Sequence, residues 1–159
     1  MKFVSLLALL PLFSILIAGC GSEISSEPRE LLLAPNDFRN SSLSVLSLSE
    51  EQSLDGPSAQ VELQGPQYRV LQSVVLYEDR ELALSALDGI RSDLVSRGEA
   101  GPGAPQTSGV YQHMLGNDEA ASLFFIEGRA LVRLTVTGDN RVESLDQLAG
   151  LARDKLAGG

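Results

Sequence analysis

The stretch "ASLFFIEGRALVRLTVTG" (Ala121–Gly138) decides the fold, because it contains two β-strand patterns with a turn signal between them. Both halves are rich in β-branched or aromatic residues, which favour strands. Alternate residues of the second half point to opposite faces of a sheet. One face carries Ala130, Val132, Leu134 and Val136, and the other carries Arg129, Leu131, Arg133, Thr135 and Thr137. The stretch predicts a β-hairpin with arms at 121–126 and 130–137, joined by Glu127-Gly128-Arg129.

A helix is predicted directly after the hairpin. Ser144-Leu145-Asp146-Gln147 fits a capping box, the usual start signal of an α-helix. Gly158 follows the pattern as a terminating glycine. The apolar stripe between these signals consists of Leu145, Leu148, Ala152 and Leu156.

Upstream of the hairpin the sequence predicts four further strands and one more helix. The strands are 43–49, 59–64, 68–77 and 110–115. The helix is indicated by apolar residues at a helical spacing and ends before Gly98. Its stripe consists of Ala83, Ala86, Leu87, Ile90 and Leu94. Gly89 lowers helix stability by about 1 kcal/mol relative to Ala, so we expect it to approach the sheet closely.

Three strands, a helix, three strands and a second helix make an α+β order. This order predicts an antiparallel sheet of about five to six strands with both helices packed on one face. We expect a single domain over residues 31–159, because the segment holds one continuous pattern without repeats. Residues 20–30 are polar and predict a short tether.

The N-terminus has the pattern of an export signal. Lys2 precedes a run that is uncharged from Phe3 to Ala18, which is shorter than the ~20 residues of a membrane-spanning helix. The run ends in Leu16-Ile17-Ala18-Gly19-Cys20, which resembles the lipobox of bacterial lipoprotein precursors. The resemblance implies cleavage between Gly19 and Cys20, so that residues 1–19 are the signal peptide. It also implies a diacylglyceryl group on the Cys20 thiol and, in many such proteins, an acyl chain on the new amine.

Lipidation would place the chain outside the cytoplasm, anchored to the outer face of the cell membrane or to the outer membrane of a two-membrane organism. The membrane is then one partner, and an envelope protein or small ligand is the expected other. The alternative is an ordinary secretory signal that happens to end near a cysteine.

The mature domain also resembles extracytoplasmic sensor-type domains attached to bacterial membranes. In those domains an arm of the kind R-x-G-N-x-V-V-x-V precedes an A-x-x-I/L-A helix. The matching pieces here are "FIEGRALVRLTV" and "LAGLARDKL", and "LLLAPNDF" (Leu31–Phe38) resembles their opening segment. Such domains often carry paired cysteines and tryptophans, whereas this chain has one Cys and no Trp.

Composition argues against several classes of function. Removal of residues 1–19 takes away Lys2 alone, so 11 basic and 21 acidic side chains remain, a net charge of −10. Such a charge repels phosphate backbones, and no nucleic-acid partner is expected. No metal or cofactor is predicted beyond the lipid on Cys20, since one His and one lipidated Cys cannot form a zinc site. The chain carries no G-x-S-x-G turn for a serine nucleophile, so we expect no enzyme.

The candidate ligand surface is the sheet face that carries Arg129 and Arg133, next to the Gly98–Gly109 loop. Two guanidinium groups on one face could hold an anion or a carboxylate. We expect a non-catalytic binding or sensor-type module. The alternatives are a carrier of a lipid or other apolar ligand and, third, a small hydrolase. The only histidine, His113, falls in a predicted strand and is expected to be structural.

Overall fold

The computed structural model describes residues 24–38, 42–97, 108–138 and 141–158, with only the backbone for 108, 109 and 141–143. The strands are β1 (Ser44–Ser53), β2 (Gly56–Gln64), β3 (Tyr68–Leu76), β4 (Ser108–Leu115), β5 (Asp118–Glu127) and β6 (Ala130–Gly138). The helices are α1 (Arg80–Ser96) and α2 (Arg141–Ala157), and two short 3-10 helices span Pro28–Leu31 and Pro35–Asp37.

The six strands form one antiparallel sheet in the order β1-β2-β3-β6-β5-β4. The hairpin predicted over residues 121–138 is confirmed as β5 and β6, with Glu127 paired to Ala130 across the turn. β3 joins this hairpin by pairing with β6 along its whole length. The α+β class and the six-stranded antiparallel sheet are therefore as the sequence predicts.

One face of the sheet, called here the α2 face, carries the main core. The alternate residues of β6 predicted to share a face are all buried there, together with the predicted stripe of α2. The N-terminal segment (residues 24–38) covers the other half of this face through Ile24, Leu31, Leu32 and Leu33. Two different segments, one from each end of the chain, thus close the same face.

The opposite face, called here the α1 face, is covered by α1, so the prediction that both helices share one face is wrong. Leu87 packs with Phe124 of β5 and Leu131 of β6 in a second apolar cluster. These two strand residues point away from the main core, and their apolar surface needs its own cover. α1 also links β3 to β4, and β6 and β5 lie between these two strands in the sheet. The connection must therefore pass over β6 and β5.

The predicted tether over residues 20–30 is too long at its C-terminal end. Ile24 is only 2% exposed and belongs to the main core, and Pro28–Leu31 is a 3-10 helix on the sheet. The segment is held by Gln72 of β3, whose side chain bonds the backbone at Leu33 and Leu31. The packed domain therefore begins by Ile24, and the predicted boundary at residue 31 is corrected to that position.

Some of the predicted start and stop signals coincide with the ends of the helices and others do not. Asp79 caps α1 by accepting a 2.8 Å hydrogen bond from the backbone N–H of Leu82. α2 begins at Arg141, so Ser144 lies inside the helix and the predicted capping box is not its start. Gly158 follows the last residue of α2, as predicted. Gly89 is exposed and a Cβ there would meet no atom within 4 Å, so the expected close contact with the sheet is wrong.

Candidate functional site

A groove of about 720 Å³ lies on the α1 face, between the C-terminal half of α1 and the strands β4, β5 and β6. Ile90, Asp93, Leu94 and Arg97 line the helix side. Tyr111, His113, Met114, Leu115, Phe124 and Arg133 line the strand side. We call this feature the Arg133 groove, because Arg133 is the exposed cation on its sheet floor.

The floor of the Arg133 groove is aromatic. The Tyr111 and Phe124 rings stack with centroids 5.2 Å apart and an interplanar angle of 22°. The guanidinium carbon of Arg133 lies 5.5 Å from the centroid of the Phe124 ring. Such a cation–π contact contributes about 0.5–1 kcal/mol at an exposed site. The contact positions the guanidinium group of Arg133 and leaves its positive charge unpaired by the ring, which is uncharged.

A line of hydrogen bonds crosses three strands beside this floor. His113 Nε2 lies 2.8 Å from Ser122 Oγ, and Ser122 Oγ lies 2.7 Å from Thr135 Oγ1. Arg133 Nε donates to the same Thr135 oxygen at 3.2 Å. At the other end, His113 Nδ1 lies 3.2 Å from the carbonyl oxygen of Met114, which can only accept.

The direction of the protons along this line follows from its two ends. Arg133 Nε can only donate and the carbonyl of Met114 can only accept, so in the neutral His113 tautomer Nδ1 carries the proton. Thr135 then donates to Ser122, and Ser122 donates to His113 Nε2. Ser122 and Thr135 are buried, and the line satisfies both hydroxyl groups. The hydrogen bonds therefore hold the Arg133 side chain in place on the sheet.

Ser122 and His113 do not form a nucleophile and base, although their atoms are at hydrogen-bond distance. Ser122 is 0% exposed, so no substrate can reach its oxygen. His113 Nδ1 faces a backbone carbonyl and not the carboxylate that orients a catalytic histidine. The expected structural role of His113 fits these contacts.

The Arg133 groove is positively charged in a strongly acidic chain. Its lining holds two guanidinium groups, at Arg97 and Arg133, and one carboxylate, at Asp93. Asp93 forms an ion pair with Arg97 one helical turn away. No carboxylate within the described ranges pairs with Arg133. Arg133 is thus a cation at the edge of an apolar floor with no carboxylate partner among the described residues, and such a group is suited to an anion.

The structure separates the two arginines predicted to form one surface. Arg129 lies in the turn between β5 and β6, where its guanidinium donates to the carbonyl oxygens of Ile24 and Tyr77. It ties three segments together, so it does not share the surface of Arg133. The lipobox residues Gly19 and Cys20 lie outside the described residues, as do residues 98–107 of the predicted loop.

None of the helices in the described ranges is long and apolar enough to cross a membrane. No group of three potential metal-ligating side chains occurs there either.

The fold is similar to that of a known domain. The extracellular domain of PknH from Mycobacterium tuberculosis superposes with a TM-score of 0.66 at 13% sequence identity, covering 87% of this chain and 100% of that domain. At this identity the likeness shows the fold alone, and on the fold it supports the expected resemblance to extracytoplasmic domains. No protein-family model matches the chain, and no curated protein matches it significantly.

Proposed function

We propose that this chain is a lipid-anchored, extracytoplasmic binding module without catalytic activity. Acylated Cys20 is its anchor, and the Arg133 groove is its ligand site. The observation that carries the ligand site is the position of Arg133, exposed above an aromatic ring with no carboxylate of the described residues paired to it. The chain as a whole is acidic, whereas the lining of the Arg133 groove carries two guanidinium groups and one carboxylate.

The anchor is supported by the lipobox-like order of residues 16–20 behind an uncharged run. A location outside the cytoplasm agrees with the fold, since the similar structure is an extracellular domain. Two or three acyl chains hold a protein at a membrane firmly, because each buried methylene contributes about 0.8 kcal/mol. The packed domain begins only a few residues after Cys20, so the domain would be held close to the membrane.

The chemistry of the groove favours an anion attached to a flat or apolar group. A carboxylate or phosphate would accept from the guanidinium of Arg133. The attached group would lie against Tyr111 and the apolar helix residues Ile90 and Leu94. A carrier of purely apolar ligands is less well supported, because the helices pack on opposite faces, each against its own apolar cluster, and the groove beside α1 is lined by Arg133 and the Asp93–Arg97 ion pair.

Phenyl phosphate is the probe that tests this site, with aniline as the matched ring that lacks an anion. Backbone amide shifts of the mature chain (residues 20–159) are recorded by NMR during titration. We expect saturable shifts at Tyr111, Phe124 and Arg133 with phenyl phosphate and none with aniline. Arg133→Gln should abolish them.

Arg153→Gln is the control, because Arg153 lies 4.5 Å from the Phe125 ring on the opposite face and makes the same kind of contact. Shifts that survive Arg133→Gln, or that cluster away from the groove, would contradict the site. Equal shifts with aniline would favour an apolar carrier.

A further inference from the structure

The chain enters the packed domain at a defined end of the sheet. The carbonyl oxygen of Ile24 accepts from Arg129 Nε at 3.3 Å and from Nη2 at 3.2 Å. Arg129 lies in the turn between β5 and β6, and it also bonds the carbonyl of Tyr77, just beyond the end of β3. The hairpin tip between β1 and β2, Leu54-Asp55, lies at the same end of the antiparallel sheet. We call this end of the molecule the Ile24 end.

The distance from Cys20 to the Ile24 end is limited by chain length. Four residues span at most about 14 Å even when fully extended. This step rests on the proposed lipid at Cys20, which fixes that residue at the membrane surface. The Ile24 end must then stay within this distance of the membrane, whereas the opposite end of the sheet can lie up to one strand length farther away.

The Ile24 end exposes leucines in places where polar residues are usual. Leu54 occupies the two-residue hairpin tip and is 108% exposed. Leu82, in the first turn of α1, is 46% exposed. Both line one cleft of about 560 Å³, together with Tyr77 and Arg129. Turn tips favour Gly, Asn, Asp and Ser, so a fully exposed leucine at this position is unusual.

We propose that the Ile24 end docks on the lipid bilayer that holds the acyl chains, with Leu54 and Leu82 at the apolar boundary of the headgroup layer. The bilayer is the one surface that the short connection to Cys20 keeps within reach of both leucines. Tyr77, which lines the same cleft, has the apolar ring and polar tip that suit such an interface.

The same end carries exposed carboxylates, which set the kind of lipid it accepts. Asp55 follows Leu54 in the hairpin tip, and Glu78, Asp79 and Glu81 surround the start of α1. Arg80 is the exposed cation among them. Docking is therefore favoured on zwitterionic lipid and weakened by anionic lipid.

Docking at the Ile24 end also orients the ligand site. α1 starts at Arg80 at this end and runs for 17 residues, about 25 Å at the rise of an α-helix. The Arg133 groove lies beside the last turns of α1 and would therefore open well above the membrane. In this orientation the groove is accessible to ligands or partners in the envelope.

A fluorescent probe at the two hairpin tips tests the proposal. Leu54→Cys marks the Ile24 end, and Asn117→Cys marks the exposed tip between β4 and β5 at the other end. Each acylated full-length variant is labelled with the polarity-sensitive dye NBD and reconstituted in phosphatidylcholine vesicles. We expect a blue-shifted emission, increased at least twofold and quenched by doxyl-labelled lipid, at residue 54 only. Added phosphatidylglycerol should reduce the effect.

The intact mass of the same preparation separates the two proposals. If Cys20 carries lipid and the probe at residue 54 still reports water, docking is wrong and the anchor stands. If residue 117 is quenched as strongly as residue 54, the orientation is wrong. If the mass shows no acyl group on Cys20, the proposed anchor fails and docking fails with it.

Discussion

Gln72 holds Leu33 on the sheet: its side-chain oxygen accepts a 2.6 Å hydrogen bond from the backbone N–H of Leu33. Its side-chain nitrogen donates to the carbonyl of Leu31 at 3.3 Å. Gln72 is 0% exposed, so this one amide replaces water for two backbone groups of the N-terminal segment. The segment thereby joins the core although it forms no strand of its own.

Replacing Gln72 by Leu should leave a buried N–H and a buried C=O without partners. We expect a loss of about 2–4 kcal/mol in the free energy of unfolding, measured by urea denaturation. Gln60→Leu is the control, because Gln60 lies on the neighbouring strand β2 and is exposed. Its change should stay within about 0.5 kcal/mol. Similar losses in both variants would contradict the role of Gln72.

Arg129→Ala should loosen the start of the domain and leave the Arg133 groove intact. Two backbone carbonyls lose a charged donor, at a cost of about 1.5–3 kcal/mol. Hydrogen exchange over residues 24–33 should accelerate, because Arg129 holds the carbonyl of Ile24. Arg133→Ala is the matched control and should leave exchange in that segment unchanged. Unchanged hydrogen exchange over residues 24–33 in Arg129→Ala would contradict the role of Arg129 in holding this segment.

Two glycines should respond to alanine in opposite directions. Gly138 has φ +101°, and a Cβ there would lie 2.3 Å from the carbonyl oxygen of Gln67. Gly138→Ala should therefore lower stability by about 1–3 kcal/mol or more. Gly89 is helical and exposed with open space around it, so Gly89→Ala should raise stability by about 0.5–1 kcal/mol. Thermal unfolding of both variants measures the two effects. A lower melting temperature for Gly89→Ala than for wild type would contradict the open space around this glycine.

The pair Asp37–Lys155 should contribute to acid unfolding. Burial raises the pKa of the Asp37 carboxyl, but the 2.6 Å hydrogen bond and charge of Lys155, with the N–H of Ala34, bring the pKa below its ordinary 3.8. A carboxyl whose pKa is lower in the folded state stabilises above the unfolded pKa. That contribution is lost as the pH falls through the folded pKa.

Asp37→Asn should accordingly lower stability by about 1 kcal/mol at pH 7, and the difference from wild type should narrow as the pH falls below 3.8. Urea denaturation at several pH values measures this. Asp88→Asn is the control, since the ion pair of Asp88 with Arg91 is exposed and 3.8 Å long. If the difference in the free energy of unfolding between wild type and Asp37→Asn were the same at all pH values, the charge of Asp37 would not be its cause.

Most of the fold could be predicted because strand and helix periods are local properties of the sequence. The alternation in β6 fixed which residues enter the main core, and all four residues of that face are buried. The side of the sheet that α1 covers was predicted wrongly, because both helices were expected on one face. Leu131 and Phe124 form the apolar surface that α1 covers. The alternation of the second arm assigned Leu131 to a partly polar face, and it assigned no face to Phe124.

The candidate site could be predicted only in part. Its residues lie on different strands, and the order of these strands in the sheet brings them together, which residue spacing along the sequence does not reveal. Arg133 was singled out from its place on a strand face. Ser122 and Thr135 gave no signal, because their hydrogen bond depends on the register of β5 against β6. Arg129 occupies a turn, where a neighbouring segment could reach it, and alternation along a strand says nothing of such a contact.

The claim from which both the envelope role and the membrane orientation follow is that Cys20 carries lipid. The most direct measurement is the intact mass of the protein purified from the membrane fraction, compared between wild type and Cys20→Ser. We expect a chain of residues 20–159 with a diacylglyceryl group, with or without an N-acyl chain, and loss of this species in the variant. An unmodified chain that starts elsewhere, recovered outside the membrane fraction, would contradict it.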